Sequence, residues 1–156
     1  MESLICADCV AFDLSVTSQK QLLQEMIAIF DKAGILDTLD TKASDIVSTA
    51  MDREKLGSTG VGNGVALPHA RIDGLDKVYA AFARLGTPLD YNAVDARPVD
   101  LVAMLIAPSE DSGAHLRALA QISRRLRRTD MRARLRAAPD AQSLYLSLTD
   151  DTLAAA

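Results

Sequence analysis

The stretch Gly57-Ser58-Thr59-Gly60-Val61-Gly62-Asn63-Gly64-Val65-Ala66-Leu67-Pro68-His69-Ala70-Arg71 carries the densest run of structural signals in the chain. Four of its first eight residues are glycine. Glycine lets the backbone enter φ > 0 and approach a ligand closely, so successive N–H groups can converge on an anion. A short apolar run follows, and Pro68 then sets the backbone just before His69, one of only 2 histidines. A histidine beside such a loop can hold, receive or pass on a phosphoryl group. The plainer alternative is a glycine-rich turn followed by a buried strand that ends in a histidine. The stretch alone leaves both open.

Toward the N-terminus, Val10-Ala11-Phe12-Asp13-Leu14 reads as a short first strand. Ser18-Gln19-Lys20-Gln21 has the S-x-x-Q form of a capping box and opens a helix. Leu22, Leu23, Met26, Ile27, Ile29 and Phe30 recur at helical spacing, and Gly34 ends the run. A second helix is expected to start near Asp40 or Thr41, carry Ile46, Val47, Ala50 and Met51 inward, and end near Leu56-Gly57. Arg53 and Lys55 in its last turn suit the helix dipole. That turn also brings Arg53 close to the glycine-rich loop.

Beyond His69 the pattern changes to strands. Residues 78–85 are apolar after the Asp73-Gly74 turn, and 87–91 read as a turn with a short edge segment. Residues 98–106 read as a strand buried on both faces, as in a sheet covered by helices. Asp111 or Ser112 caps a further helix with the stripe Leu116, Leu119, Ala120, Ile122 and Leu126. Two short helices at about 130–136 and 140–148 follow. Residues 1–150 are read as one domain and 151–156 as a C-terminal tail. The alternation of elements gives a single α/β domain with a mixed β-sheet between helical layers.

Composition bounds the function. The chain has 156 residues, 49% hydrophobic and 24% charged, which suits one soluble domain with a real core. A net charge of −4 and 4% aromatic residues argue against nucleic acid as a partner. Arg124, Arg125, Arg127, Arg128, Arg132, Arg134 and Arg136 are therefore read mostly as a solvated helical face. The longest apolar run, from Leu101 to Ala107, is too short to span a bilayer. The acidic N-terminus lacks a signal-peptide core, so a cytoplasmic protein without membrane insertion is expected.

Several motifs fall away. Val65 breaks G-x-G-x-x-G, and Asn63-Gly64 stands where a P-loop places Lys-Ser/Thr. Leu56 replaces the glycine that a nucleophile elbow needs before Ser58. No three residues show catalytic-zinc spacing. Cys6 and Cys9 form a lone C-x-x-C without the strand-then-helix setting of a redox motif, and are expected to be two small half-buried thiols.

His115 is the other histidine. With Ser112 as N-cap it occupies the third helical position, where free N–H groups and the dipole attract anions and disfavour imidazolium. A neutral imidazole whose N–H points at a phosphoryl oxygen fits that place. So does an ordinary exposed first-turn histidine.

Three blocks together resemble a known family: Arg53 through His69, Pro98-Val99-Asp100-Leu101, and His115-Leu116. They look like the enzyme IIA domain of the mannitol/fructose class of the bacterial phosphotransferase system, above all its nitrogen-regulatory branch. The likeness spans about residues 4 to 149. It implies a mixed sheet of about five strands between helices and phosphorylation of His69 through Nε2, with Arg53 and His115 as site partners. The N–H groups of Gly60, Gly62, Asn63 and Gly64 would share the charge of the phosphoryl group. Neither metal nor other cofactor is implied. The implied donor is an HPr-like phosphocarrier protein, met by an apolar rim that includes Val61, Val65 and Leu67 where exposed. The implied output is regulation of target proteins by phosphorylation state. Passage of phosphate to a fructose/mannitol-type IIB, as in sugar transport, is the alternative. Transport members usually carry an acidic residue where this chain has Asn63, which favours the regulatory branch.

Overall fold

The computed structural model describes residues 1–150, and the tail expected at 151–156 lies outside the described residues. The elements run β1 (Ile5–Leu14), α1 (Gln19–Lys32), α2 (Ala43–Leu56), β2 (Gly60–Gly62), β3 (Val65–Ala66) and β4 (His69–Ile72). They continue with β5 (Tyr79–Leu89), β6 (Val99–Pro108), α3 (Ser112–Arg127), α4 (Thr129–Ala137) and α5 (Ala141–Thr149). The six strands form one mixed sheet in the order β1-β5-β6-β3-β2, with β4 also paired to β6. The α/β reading with a mixed sheet holds, with six strands where about five were expected.

β6 is the axis of the sheet. It lies antiparallel to β5 on one side and parallel to β3 and then β4 on the other. Leu101 to Ala107 are all buried, at odd and even positions alike, so both faces must be covered. α1 and α2 pack together, α1 against β1 and β5 and α2 against β4. α3 packs on β6, α5 on β1, and α4 joins α3 to α5.

Local chemistry sets most boundaries. Ser18 caps α1, its Oγ accepting the Gln21 N–H at 3.1 Å. Gln21 Oε1 reaches back to the Thr17 N–H at 2.8 Å, one residue further than a standard capping box. α2 starts at Ala43 rather than near Asp40 or Thr41. Its N-cap is Lys42, which makes no side-chain cap, and Asp45 supplies the first-turn negative charge. β1 begins at Ile5, well before the expected Val10, because an irregular stretch conceals its alternation. β5 runs on through Thr87 to Leu89, which pairs with Val99 after a break in register, so Pro88 is accommodated without a turn.

α3 is rotated from the expected stripe. Its buried side chains are His115, Ala118, Ile122, Arg125 and Leu126, while Leu116 and Ala120 face outward. The spacing is helical, but two of the five residues are polar, which disguises the face. Arg125 is tolerated inside because its Nη1 donates to the Leu148 carbonyl at 2.8 Å. Arg84 of β5 likewise donates to the carbonyls of Leu135, Arg136 and Ala138 at the end of α4.

The loop between α2 and β2 is tied down by Glu54. Its buried carboxylate accepts from the Thr59 N–H at 2.9 Å, from Thr59 Oγ1 and from Tyr91 Oη at 2.8 Å. Burial, reinforced by the Glu54 charge, raises the Tyr91 pKa, so the phenol remains a donor. Tyr91→Phe is expected to destabilise the fold by about 1.5–3 kcal/mol, the value of a hydrogen bond to a charged group. Urea unfolding should show a lower midpoint at an unchanged slope; an unchanged midpoint would contradict the clamp.

Candidate functional site

His69 opens β4 opposite Leu105 of β6. The parallel ladder along β6 is interrupted at Leu67-Pro68, between β3 and β4. Pro68 has no N–H to give, and its carbonyl accepts from Leu105. The Leu67 N–H turns to the Thr59 carbonyl at 3.0 Å. The Leu67 carbonyl lies 3.1 Å from Nδ1 of His69. Because a carbonyl only accepts, Nδ1 carries the proton. Nε2 is then the unprotonated nitrogen, and Arg53 Nε–H donates to it at 3.2 Å. The tautomer is thus assigned by its two partners, and Nε2 holds the lone pair.

Arg53 reaches this place from the last turn of α2. Its Nη1 donates to the Gly57 carbonyl at 2.9 Å, which braces the guanidinium against its own helix end. Next door in sequence, Glu54 ties the same helix end to Thr59 and Tyr91.

His115 meets His69 edge to face, with ring centroids 5.0 Å apart and planes at 82°. Asp111, not Ser112, caps α3, its carboxylate accepting the Ala114 N–H at 3.0 Å, so His115 is the fourth helical residue. It is buried, with 4% of its surface exposed, so the alternative of an ordinary exposed first-turn histidine does not hold. Its Nδ1 is buried without a hydrogen-bond partner among the described residues. Burial first, then the neighbouring His69 and Arg71, hold its pKa below the usual histidine value. The ring is neutral at neutral pH.

Arg71 was not singled out in the sequence, yet it belongs here. Two residues after His69 on one strand, it shares the outward face while Ala70 and Ile72 turn inward. Its Nη1 donates to Ser112 Oγ at 3.1 Å, linking β4 to the first turn of α3. The period of two was the available signal. Glu54 and Tyr91 had none, because their pairing spans distant parts of the chain.

The glycine-rich residues take a different form from the expected loop. Gly60, Gly62, Asn63 and Gly64 form β2 and the turn of a hairpin with β3. Asn63 and Gly64 both have positive φ, +58° and +78°, as a two-residue type I′ hairpin turn requires. A Cβ on Gly60 would lie 2.7 Å from that of Ala93, so the close packing of the 93–95 segment demands glycine there. At least two of the four amides are already engaged by side chains. The Gly60 N–H binds Ser58 Oγ at 3.1 Å, and the Asn63 N–H binds Asp95 Oδ2 at 2.9 Å. An internal carboxylate thus occupies one proposed anion position. The hairpin lies on the β3 segment of the β6 edge, and Val65 precedes His69 by four residues, roughly 13 Å of strand.

The apolar rim also differs. Val61 is half exposed, but Val65 and Leu67 are buried. Two exposed apolar side chains neighbour site residues in sequence: Leu56, three residues after Arg53, and Leu116, next to His115.

The burial of His115 has a pH consequence. Unfolded, it takes up a proton near pH 6.5, whereas the folded ring resists doing so. The unfolded state then binds more protons, so stability falls as pH drops below about 6.5. Urea midpoints measured between neutral and mildly acidic pH should fall more steeply for the wild type than for His115→Gln. Parallel curves would refute a depressed His115.

Comparison with known proteins places this geometry in a family. Residues 3–150 match the family described as "Phosphoenolpyruvate-dependent sugar phosphotransferase system, EIIA 2". A nitrogen regulatory protein of Bradyrhizobium diazoefficiens is 43% identical over 142 residues, covering 91% of this chain and 90% of that one. The crystal structure of nitrogen regulatory protein IIA-Ntr from Neisseria meningitidis superposes with a TM-score of 0.85 at 29% identity, covering 94% of this chain and 97% of that one. The mannitol IIA of Escherichia coli shares the fold at a TM-score of 0.75 and 16% identity, covering 92% and 97%. The chain therefore belongs to the EIIA type 2 family of the phosphoenolpyruvate-dependent sugar phosphotransferase system, alongside relatives named nitrogen regulatory protein.

Proposed function

We propose that the chain is a phosphohistidine carrier, charged on Nε2 of His69 by an HPr-like phosphocarrier protein, whose phosphorylation state regulates target proteins. The observation that carries this reading is the fixed orientation of His69, with Nδ1–H on the Leu67 carbonyl and the Nε2 lone pair facing Arg53. In the transfer, the Nε2 lone pair forms the new P–N bond while the bond from phosphorus to the donor histidine breaks. The released electron pair stays on the donor ring. Such a transfer is mostly positioning and charge stabilisation.

Each neighbour has a part. The Leu67 carbonyl accepts the Nδ1–H that becomes more acidic as the ring gains positive charge. Arg53 Nε–H leaves Nε2 for a phosphoryl oxygen, while Nη1 keeps its hold on Gly57. The neutral His115 ring, edge to face with His69, donates an N–H to the same group, and the charge of Arg71 lies beside it. Gly60, Gly62, Asn63 and Gly64 support the site as a rigid hairpin rather than by closing on the phosphate. Exposed Leu56, Val61 and Leu116 supply apolar surface for a protein donor.

The regulatory output follows from charge. A dianionic group on His69 stands at a surface with exposed apolar side chains, so a partner that packs on the bare form meets a desolvated charge on the modified one. The relatives named nitrogen regulatory protein support this reading over sugar transport.

Three experiments test it. With enzyme I, an HPr-like carrier and phosphoenolpyruvate, the wild type should gain one acid-labile, base-stable phosphate and His69→Ala none. Arg53→Ala should accept phosphate about a hundredfold more slowly in single-turnover mixing, the typical loss of one preorganised donor. Full labelling of His69→Ala would overturn the acceptor assignment. In pull-downs, bare and phosphorylated protein should retain different partners. Identical partner sets, together with efficient passage of phosphate to a fructose- or mannitol-type IIB, would instead establish the transport reading.

A further inference from the structure

Cys6 and Cys9 lie apart from the histidine site, on β1 at the sheet edge. In a regular strand, residues three apart point to opposite faces and their side chains cannot meet. Here the two sulfurs are 3.1 Å apart. The cause is visible in the register. Ile5 pairs with Ala80 and Val10 with Phe82, so five steps along β1 answer two along β5, and the surplus residues bulge. Cys6 through Cys9 fill that bulge. Cys6 is exposed and Cys9 is buried beneath it.

We propose that Cys6 and Cys9 form a reversible dithiol–disulfide site, oxidised by low-molecular-weight disulfides. The Cys6 thiolate attacks one sulfur of the disulfide RSSR. The RS–SR bond breaks, RS⁻ leaves, and Cys6 becomes a mixed disulfide. Cys9 then loses its proton and attacks Cys6 Sγ, forming the Cys6–Cys9 bond and expelling the second RS⁻. The protein gives up two electrons and two protons, and RSSR becomes two RSH. Closure requires the sulfurs to move from 3.1 Å to about 2.05 Å, which the unpaired bulge can absorb.

The exposure difference sets the order of attack, since the reacting thiol must be reached by the oxidant. Cys9 is an inert thiol in the reduced protein, its pKa pushed up to about 12 by burial and then by the Cys6 sulfur beside it. This site does not depend on the reading of His69.

The test uses the full chain in a series of oxidised-to-reduced glutathione ratios, quenched with an alkylating agent and read by intact mass and peptide mapping. The expected product has lost two hydrogens, resists alkylation, and links Cys6 to Cys9. Closure should be favoured at least about tenfold in the folded chain over the same chain unfolded in urea. Cys6→Ser, a change at an exposed position, should leave buried Cys9 unmodified while folded. Equal closure in folded and unfolded chains would overturn the proposal. So would a stable glutathione adduct on Cys6, or modification of Cys9 in Cys6→Ser at the wild-type rate.

Discussion

Glu54 accepts three donors from two other parts of the chain: the Thr59 N–H, the Thr59 hydroxyl and the Tyr91 phenol. A buried carboxylate is costly unless its lone pairs are filled, and filling them fixes whatever carries the donors. The last turn of α2, the strand entering the hairpin and the segment after β5 are joined at this one group. Arg53 precedes Glu54 and has its reach set by the same turn. From the other side, Leu67 binds Thr59 through the main chain and presents its carbonyl to His69. Both groups that orient the imidazole therefore rest on one buried acid, outside the site itself.

Much of this could be read from the residues alone. The S-x-x-Q start of α1, its glycine stop, and the doubly buried strand around Leu101–Ile106 follow from capping and periodicity. Arg53, His69 and His115 do come together in space. The failures have physical causes. A glycine-rich run has two meanings, anion loop and tight hairpin. The Asn-Gly pair with apolar neighbours was a hairpin signal outweighed by the nearby histidine. The buried face of α3 was misplaced because it includes His115 and Arg125, and hydropathy alone cannot foresee polar residues whose inward position depends on tertiary partners. The bulge in β1 erased the alternation by which its first half would have been found.

The arginines of the C-terminal half show the same limit. They look like a solvated face, but Arg125 and Arg132 donate to main-chain carbonyls near helix ends. Arg136 grips Asp100 with both Nε and Nη2 and reaches the Asn63 carbonyl at the hairpin tip. The guanidinium fork suits this work because it satisfies several oxygens at once. These bonds tie α3 to α5, α4 to α3, and α4 to β6 and the hairpin, alongside the apolar packing of the three helices.

The gap in the β6 ladder at Leu67-Pro68 has one more consequence. One of the two groups that orient His69 is a peptide oxygen, and every amino acid supplies the same one. Replacing the Leu67 side chain changes packing but does not delete the acceptor. The Nδ1 contact is thus insulated against point substitution at Leu67. It is lost only when the path of the chain changes, so that half of the orientation rests on the proline and the sheet, while the Nε2 side rests on the Arg53 side chain.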